Sequence, residues 1–258
     1  DHRWGTFGSL GLKWNAKREN FLRDLRWLDD LTVSANYGTT GNDSGAGSYD
    51  FYGLFGSGSN YNGEGSIDIT QASNDKLTWE KVSKLNIGLN FGLFNRVTVD
   101  ANFYRNETSD MLMEIPYSMT TGFTSGMGNI GTMVNKGFET TVNVDLSKTK
   151  DMSWSVSANI CYNKNEITKL TGSNSIVKTG GIDAGTGNEC QAQIVGKPAN
   201  SFYVYQQVYG VDGKPIEGVF VDRNGDGKIG EEDRYAYKSP AAPYLAGLAV
   251  RAQYKNWD

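Results

Sequence analysis

The chain has one histidine and two cysteines among its 258 residues, and each shortage removes a class of chemistry. His2 stands at the extreme end, so His-based metal centres and Ser-His-Asp or Cys-His catalysis have no general base. Cys161 and Cys190 are too few for a disulfide framework and too far apart for a zinc or redox motif. They leave at most one disulfide open. No run approaches the roughly 20 apolar residues of a spanning helix, and no basic, apolar, small-residue leader opens the chain. A net charge of -4 and a pI near 5.2 provide no basic surface, so nucleic acid is not an expected partner. The one conspicuous carboxylate pair, Glu231 and Glu232, is adjacent on a loop and reads as solvated charge. No enzyme is expected.

What the chain does contain points to strands. Glycine is plentiful at 32, aromatics make up 12%, and proline is scarce at 5, a balance that favours many strands joined by turns. The mean hydropathy of -0.49 looks like that of a water-soluble protein, yet a barrel with a wet lumen needs only every second strand residue to be apolar.

The alternation is strict between Ser153 and Asn163, where Trp154, Val156, Ala158, Ile160 and Tyr162 oppose serines, asparagines and Cys161. A sandwich strand could alternate in this way, but aromatics at both ends of a roughly 10-residue row also fit the two girdles of a membrane barrel. Leu85 to Leu93 and Val97 to Phe103 repeat the pattern around a Phe94-Asn95-Arg96 turn, as do Phe138 to Leu146 and Leu248 to Tyr254. With Ser9 to Asn15 and Leu31 to Tyr37 the count reaches about seven antiparallel strands. Arg105 keeps the apolar parity just beyond Phe103, where a long side chain can snorkel to headgroups.

Short connections (94–96 and 147–152) alternate with long ones (38–78, 109–136 and 166–243), as expected for brief periplasmic turns and extended outer loops. The segment 17–30 places Phe21, Leu22, Leu25 and Leu28 at helical spacing. It reads as a small rim helix, or as an amphipathic helix on a soluble core. The fold class is therefore all-β: about seven strands of an antiparallel transmembrane β-barrel, too few for a large closed barrel, with long extracellular loops.

Two loop segments carry candidate sites. The stretch 38–65, dense in Gly, Ser, Asn and Tyr, offers Tyr49, Phe51, Tyr52, Phe55 and Tyr61 as aromatic faces for sugars or peptides, although solvated loops share this composition. From Asp222 to Asp233 the run Asp-Arg-Asn-Gly-Asp-Gly-Lys-Ile-Gly-Glu-Glu-Asp has the oxygen spacing of a calcium loop. Asp222, Asn224 and Asp226 would give side-chain oxygens, Lys228 its carbonyl and Asp233 the closing carboxylate, with Ile229 at the position that packs. An Asn-Gly and Asp-Gly turn without metal is the alternative.

Several stretches in order resemble one family. Ser9-Leu-Gly-Leu-Lys-Trp14, Ala35-Asn-Tyr-Gly-Thr-Thr-Gly-Asn42, Leu77-Thr-Trp-Glu-Lys81, Asn86 to Phe94, Asn129-Ile-Gly131, Asn135-Lys-Gly-Phe-Glu139 and Asp222 to Gly227 are similar to the barrel half of SusC/RagA-like TonB-dependent transporters of Bacteroidetes outer membranes. The resemblance implies a partial barrel over residues 1–258, internal to a longer protein whose plug domain and closing strands lie elsewhere. It also implies import of oligosaccharides or peptides, energised by TonB contact outside this chain, with a SusD-like surface lipoprotein as lid and outer-membrane lipid around the wall. A soluble, calcium-stabilised surface binding module and a passive porin are the alternatives.

Overall fold

The computed structural model describes residues 4–58, 64–149, 151–170, 176–183, 189–255 and 257. In chain order the strands begin with β1 (Ser9–Asn15), β2 (Leu28–Asn42), β3 (Leu54–Ser57), β4 (Ile67–Gln71) and β5 (Glu80–Leu93). The long β6 (Val97–Pro116), β7 (Ser125–Lys148) and β8 (Met152–Leu170) follow. Next come β9 (Ile176–Asp183), β10 (Glu189–Ile194), β11 (Ser201–Val204), β12 (Gln207–Tyr209), β13 (Pro215–Phe220), β14 (Tyr235–Ala236) and β15 (Tyr244–Tyr254). They form two compact units, one of residues 1–164 with 243–258 and one of residues 165–242.

The first unit is built on a seven-stranded sheet in the order β1-β2-β5-β6-β7-β8-β15. The pairs β1–β2, β2–β5, β5–β6, β6–β7 and β8–β15 are all antiparallel. The register matches the apolar residues across strands: Trp14 faces Val33, Val33 faces Leu89, Leu89 faces Ala101, and Ala101 faces Thr140. On β8 and β15 Val156 faces Val250 and Ala158 faces Leu248. Because side chains alternate with period two, these matches gather the seven strands' apolar residues on one face.

That face is not covered. Even on interior strands, Ile87 is 46% exposed, Phe103 55% and Ile160 42%. An apolar face this continuous on the central strands of a sheet needs an apolar neighbour. Its outward end carries a row of rings, Phe103, Phe138, Tyr162 and Tyr244, with successive centroids 6.3, 5.9 and 4.8 Å apart. From Trp154 to Tyr162 the strand covers about 26 Å at ~3.3 Å per residue, or about 20 Å of bilayer at a tilt near 40°. This is close to the apolar band of an outer-membrane barrel.

The opposite face is polar. Lys13, Ser34, Gly88, Asn102 and Glu139 succeed one another across β1, β2, β5, β6 and β7. Asn90 hydrogen-bonds Asp100, and Tyr104 donates to Asn163 Oδ1 on β8 at 3.0 Å. Tyr104 reaches β8 because the residue opposite it on β7 is Gly137. A Cβ there would lie 1.9 Å from the carbonyl oxygen of Tyr162 and 2.8 Å from the Tyr104 hydroxyl.

Three features differ from the sequence expectations. The expected helix over 17–30 is a 3-10 turn, Ala16–Arg18, followed by the single helical turn α1 (Asn20–Arg23). Lys17 Nζ donates to the carbonyls of Leu22, Arg23 and Leu25 at 2.8–3.0 Å. This closes the segment into a tight turn, and Leu28 already belongs to β2. The helical spacing buries no face, since Phe21 is 69% exposed.

The connection 109–136 is mostly paired strand. β6 and β7 continue to the Pro116–Ser125 pair, leaving only an eight-residue turn that contains the 3-10 segment Met119–Thr121 and Gly122 at φ 81°. A bulge between Thr108 and Met111, with Asp110 at φ 56°, breaks the alternation and hid this pairing from the sequence pattern.

The connection 166–243 is a folded unit. It contains the four-stranded sheet β14-β11-β10-β9 and the β12-β13 hairpin. Its interior includes Ile167, Val177, Ala192, Ser201 and Asp233. Cys161 and Cys190 are not joined to each other by a disulfide.

Candidate functional site: an aromatic loop groove and an aspartate-rich loop

Beyond the outward end of the first unit's sheet, the β2–β5 connection folds against the projecting β6–β7 hairpin. Glu80 and Asn129 hold the two together. Glu80 accepts from Asn42 Nδ2 at 2.8 Å and from the Leu112 backbone N–H at 2.9 Å. Asn129 accepts from the Thr78 N–H at 2.9 Å and donates to the carbonyls of Thr78 and Asp110 at 2.8 and 2.7 Å. Backbone groups that would otherwise need water are thus satisfied by side chains. Gln71 donates to the carbonyls of Tyr49 and Tyr52, both at 3.0 Å, and anchors the aromatic segment.

Between these braces lies a groove of about 550 Å³, with Phe51, Leu77, Trp79 and Leu112 as its apolar lining and Asp43 and Asp75 among its polar groups. Trp79 is propped edge-on by Phe7, with centroids 6.2 Å apart. Aromatic faces beside carboxylates can stack on a ring or aliphatic chain while accepting hydrogen bonds from its donors.

Of the five aromatic candidates, Phe51 lines this groove, and Tyr52 stacks on it with centroids 3.9 Å apart. Tyr49 and Phe55 are 65% and 69% exposed outside the groove lining. Tyr61 lies outside the described residues. Sequence reasoning missed Leu77, Trp79 and Leu112. Composition drew attention to the Gly- and Tyr-rich half of the loop, whereas these residues stand on its return limb and on β6. Trp79 within Leu77-Thr-Trp-Glu-Lys81 was the available signal.

In the second unit, the Asp222–Asp233 loop connects β13 to β14. Asp222 accepts from the Gly225 and Gly227 N–H groups, both at 2.7 Å. Asn224 accepts from Asp226 N at 3.0 Å, and Asp226 from Lys228 N at 2.8 Å. Gly225 and Gly227 take φ of 75° and 81°, which a side chain rarely adopts.

Asp233 is fully buried and accepts from three backbone donors, Arg223 and Asn224 on one oxygen and Gly230 on the other. The Gly230 hydrogen bond, with those from Arg223 and Asn224, holds its carboxyl below the usual aspartate value. Glu231 is likewise lowered, chiefly by its hydrogen bond from Lys178 at 2.5 Å. Arg223 and Arg234 flank the loop, over the rings of Tyr235 and Tyr205 at 4.5 and 5.0 Å.

Among the described residues no three His, Cys, Asp or Glu side chains form a group that could hold a metal ion. Each oxygen of Asp222 accepts a single N–H among the hydrogen bonds above, so lone pairs remain on that carboxylate. Asp233 already accepts three. Ile229, expected to pack, is 47% exposed.

An exposed apolar face bounded at its outward end by an aromatic row, a polar reverse face and long outward connections define the wall of an outer-membrane β-barrel. The family described as TonB dependent receptor-like, beta-barrel, matches residues 1–237. The chain is 43% identical along its whole length to TonB-dependent receptor SusC of Bacteroides thetaiotaomicron, of which it covers 27%. It is 30% identical, again along its whole length, to TonB-dependent receptor P3 of Formosa agariphila, covering 28%. Among solved structures, the RagAB peptide transporter matches with a TM-score of 0.78 and 31% identity, over 96% of this chain and 28% of that one. The chain belongs to the TonB-dependent receptor family and forms part of its outer-membrane β-barrel. It spans about a quarter of the length of these relatives. The family comprises receptors and transporters, not enzymes.

Proposed function

We propose that this chain serves in TonB-dependent import of an oligosaccharide or peptide across the outer membrane, as part of the barrel wall and of the surface that receives substrate. The observation that carries the reading is the groove of Phe51, Leu77, Trp79 and Leu112, braced by Glu80 and Asn129 at the outward end of a lipid-facing wall. Its likeness to a SusC receptor and to a RagAB peptide transporter supports it. By the same likeness, a SusD-like surface lipoprotein is the proposed lid. The whole transporter, reconstituted with TonB coupling, should lose uptake when the proton-motive force is collapsed; continued uptake would mark a passive porin. Phe51→Ala with Trp79→Ala should weaken binding of oligosaccharide or peptide in calorimetry, and which of the two responds identifies the substrate class. Unchanged binding of both would remove the groove from the pathway.

The proposed ion is calcium in the Asp222–Asp233 loop, held through the free lone pairs of Asp222 and Asp226, with Asn224, the Lys228 carbonyl and Asp233 completing the set. Because Asp233 is engaged by three N–H groups, binding falls in the weak range, about 10⁻⁴–10⁻³ M. Calorimetry should show binding that disappears in the Asp222→Ala, Asp226→Ala double variant. Binding that survives there places the ion elsewhere.

A further inference from the structure

One step outward of the aromatic row, on the same lipid-facing parity, stand three cations on three adjacent strands. Arg105 follows Phe103 on β6, Lys136 precedes Phe138 on β7, and Lys164 follows Tyr162 on β8. These strands are neighbours in the sheet, and Arg105 lies directly opposite Lys136 in register. The rings beneath them run without a gap, 6.3 Å from Phe103 to Phe138 and 5.9 Å from Phe138 to Tyr162. All three cations are exposed. Glu107, 2.7 Å from Arg105, is an acid on the same parity of β6.

Like charges placed directly opposite on a sheet repel and weaken the pairing. On this face they cannot turn to the polar reverse side, and their aliphatic stems lie over an apolar belt while the charged ends reach headgroup depth. The row spans two interstrand spacings, about 10 Å, a width that suits a headgroup with more than one anionic group.

We propose that Arg105, Lys136 and Lys164 form a binding site on the outside of the barrel for the phosphate-bearing headgroup of an anionic outer-leaflet lipid. Phosphate oxygens pair with the guanidinium and the ammonium groups and relieve the cross-strand repulsion. The site needs only the membrane-facing wall and is independent of the transported substrate.

The test uses the whole transporter in detergent, with lipid retention read by native mass spectrometry. The probes are a diphosphorylated glycolipid, its monophosphorylated form, zwitterionic phosphatidylethanolamine, and inorganic phosphate alone. The diphosphorylated lipid should bind tightest. Its affinity should fall about five-fold for each cation replaced by Gln, while phosphatidylethanolamine is unaffected. Lys255→Gln, at the other end of the sheet, should leave retention unchanged. The site is refuted by equal retention in the Arg105→Gln, Lys136→Gln, Lys164→Gln variant whose barrel is folded by heat-modifiable migration, or by equal loss in Lys255→Gln. Retention of inorganic phosphate as tight as that of the lipid would overturn the lipid assignment.

Discussion

Replacing Ala158 by Arg tests the two-faced wall at its most sensitive point. Ala158 lies midway between Trp154 and Tyr162 and faces Leu248 on β15. Four residues, about 13 Å of strand, separate it from either belt, farther than an Arg side chain snorkels. A charge held there meets the full midplane penalty, roughly 2–4 kcal/mol. At ~1.4 kcal/mol per decade this is about 30- to 1000-fold in the folding equilibrium. Ser157, one residue away and opposite Ala249, faces the polar side, so Arg there should cost well under 1 kcal/mol. The assay is bilayer refolding of the whole protein followed by denaturant titration, with both variants measured in one lipid. Equal losses for Ala158→Arg and Ser157→Arg would refute the facial assignment, because the two differ only in parity. Native Arg105 is the internal control, a cation tolerated on the oily parity because it stands beyond the ring of Phe103.

Gly137→Ala should impair refolding by more than the ~1–3 kcal/mol of ordinary overpacking, because the new Cβ would meet the Tyr162 carbonyl at 1.9 Å. Adding Tyr104→Ala should give no rescue in the same refolding assay, since the closer obstacle is backbone. Asn129→Ala leaves the Thr78 N–H and two carbonyls without their partner and should cost about 1–3 kcal/mol locally, seen as faster proteolysis near residues 72–79. The Asp233 carboxyl is lowered in the folded state, so its stabilisation is complete above the ordinary value of 3.8 and is lost as pH falls through the lowered one. Hydrogen exchange at Gly230 should therefore hold at pH 5 and accelerate only in stronger acid, and Asp233→Asn should remove that acid dependence. Ser57→Cys, with both native cysteines replaced, should react with an impermeant thiol label in intact cells; absence of labelling would reverse the orientation.

The membrane-embedded parts of the fold were the most legible in the sequence. There the bilayer imposes a single rule, that every second residue be apolar, and Leu85 to Leu93 and Trp154 to Tyr162 follow it without interruption. Their register partners could be matched by counting from the Phe94 to Arg96 turn. Outside the bilayer that rule lapses. The outer half of β7, Ser-Gly-Met-Gly-Asn-Ile-Gly, has no alternation to read, and the displaced register at Asp110 hides its pairing with β6. The second unit was illegible for a related reason. Its core depends on residues such as Gln191, Gln193, Ser201 and Asp233, whose burial relies on hydrogen bonds that a hydrophobicity pattern cannot register. Phe51 could be chosen as a candidate from composition. Its partners Trp79 and Leu112 could not, because contact among them depends on Glu80 and Asn129 gripping backbone groups far away in sequence.

The length of the strands links the wall to the groove. A barrel strand needs about 9–11 residues to cross the hydrocarbon, whereas β6 has 20 and β7 has 24. The excess keeps pairing in water, because a hydrogen-bonded ladder satisfies the backbone wherever the chain goes. The hairpin therefore stands above the membrane as a stiff extension rather than a loose loop. Leu112 and Asn129 ride on that extension, one lining the groove and the other holding its opposite limb through Thr78. A groove built this way inherits the stiffness of the barrel. Shortening β6 and β7 by matched pairs, with removal of 111–116 and 125–131, should therefore abolish the groove while leaving the belt row of Phe103, Phe138, Tyr162 and Tyr244 and the lipid-facing wall intact.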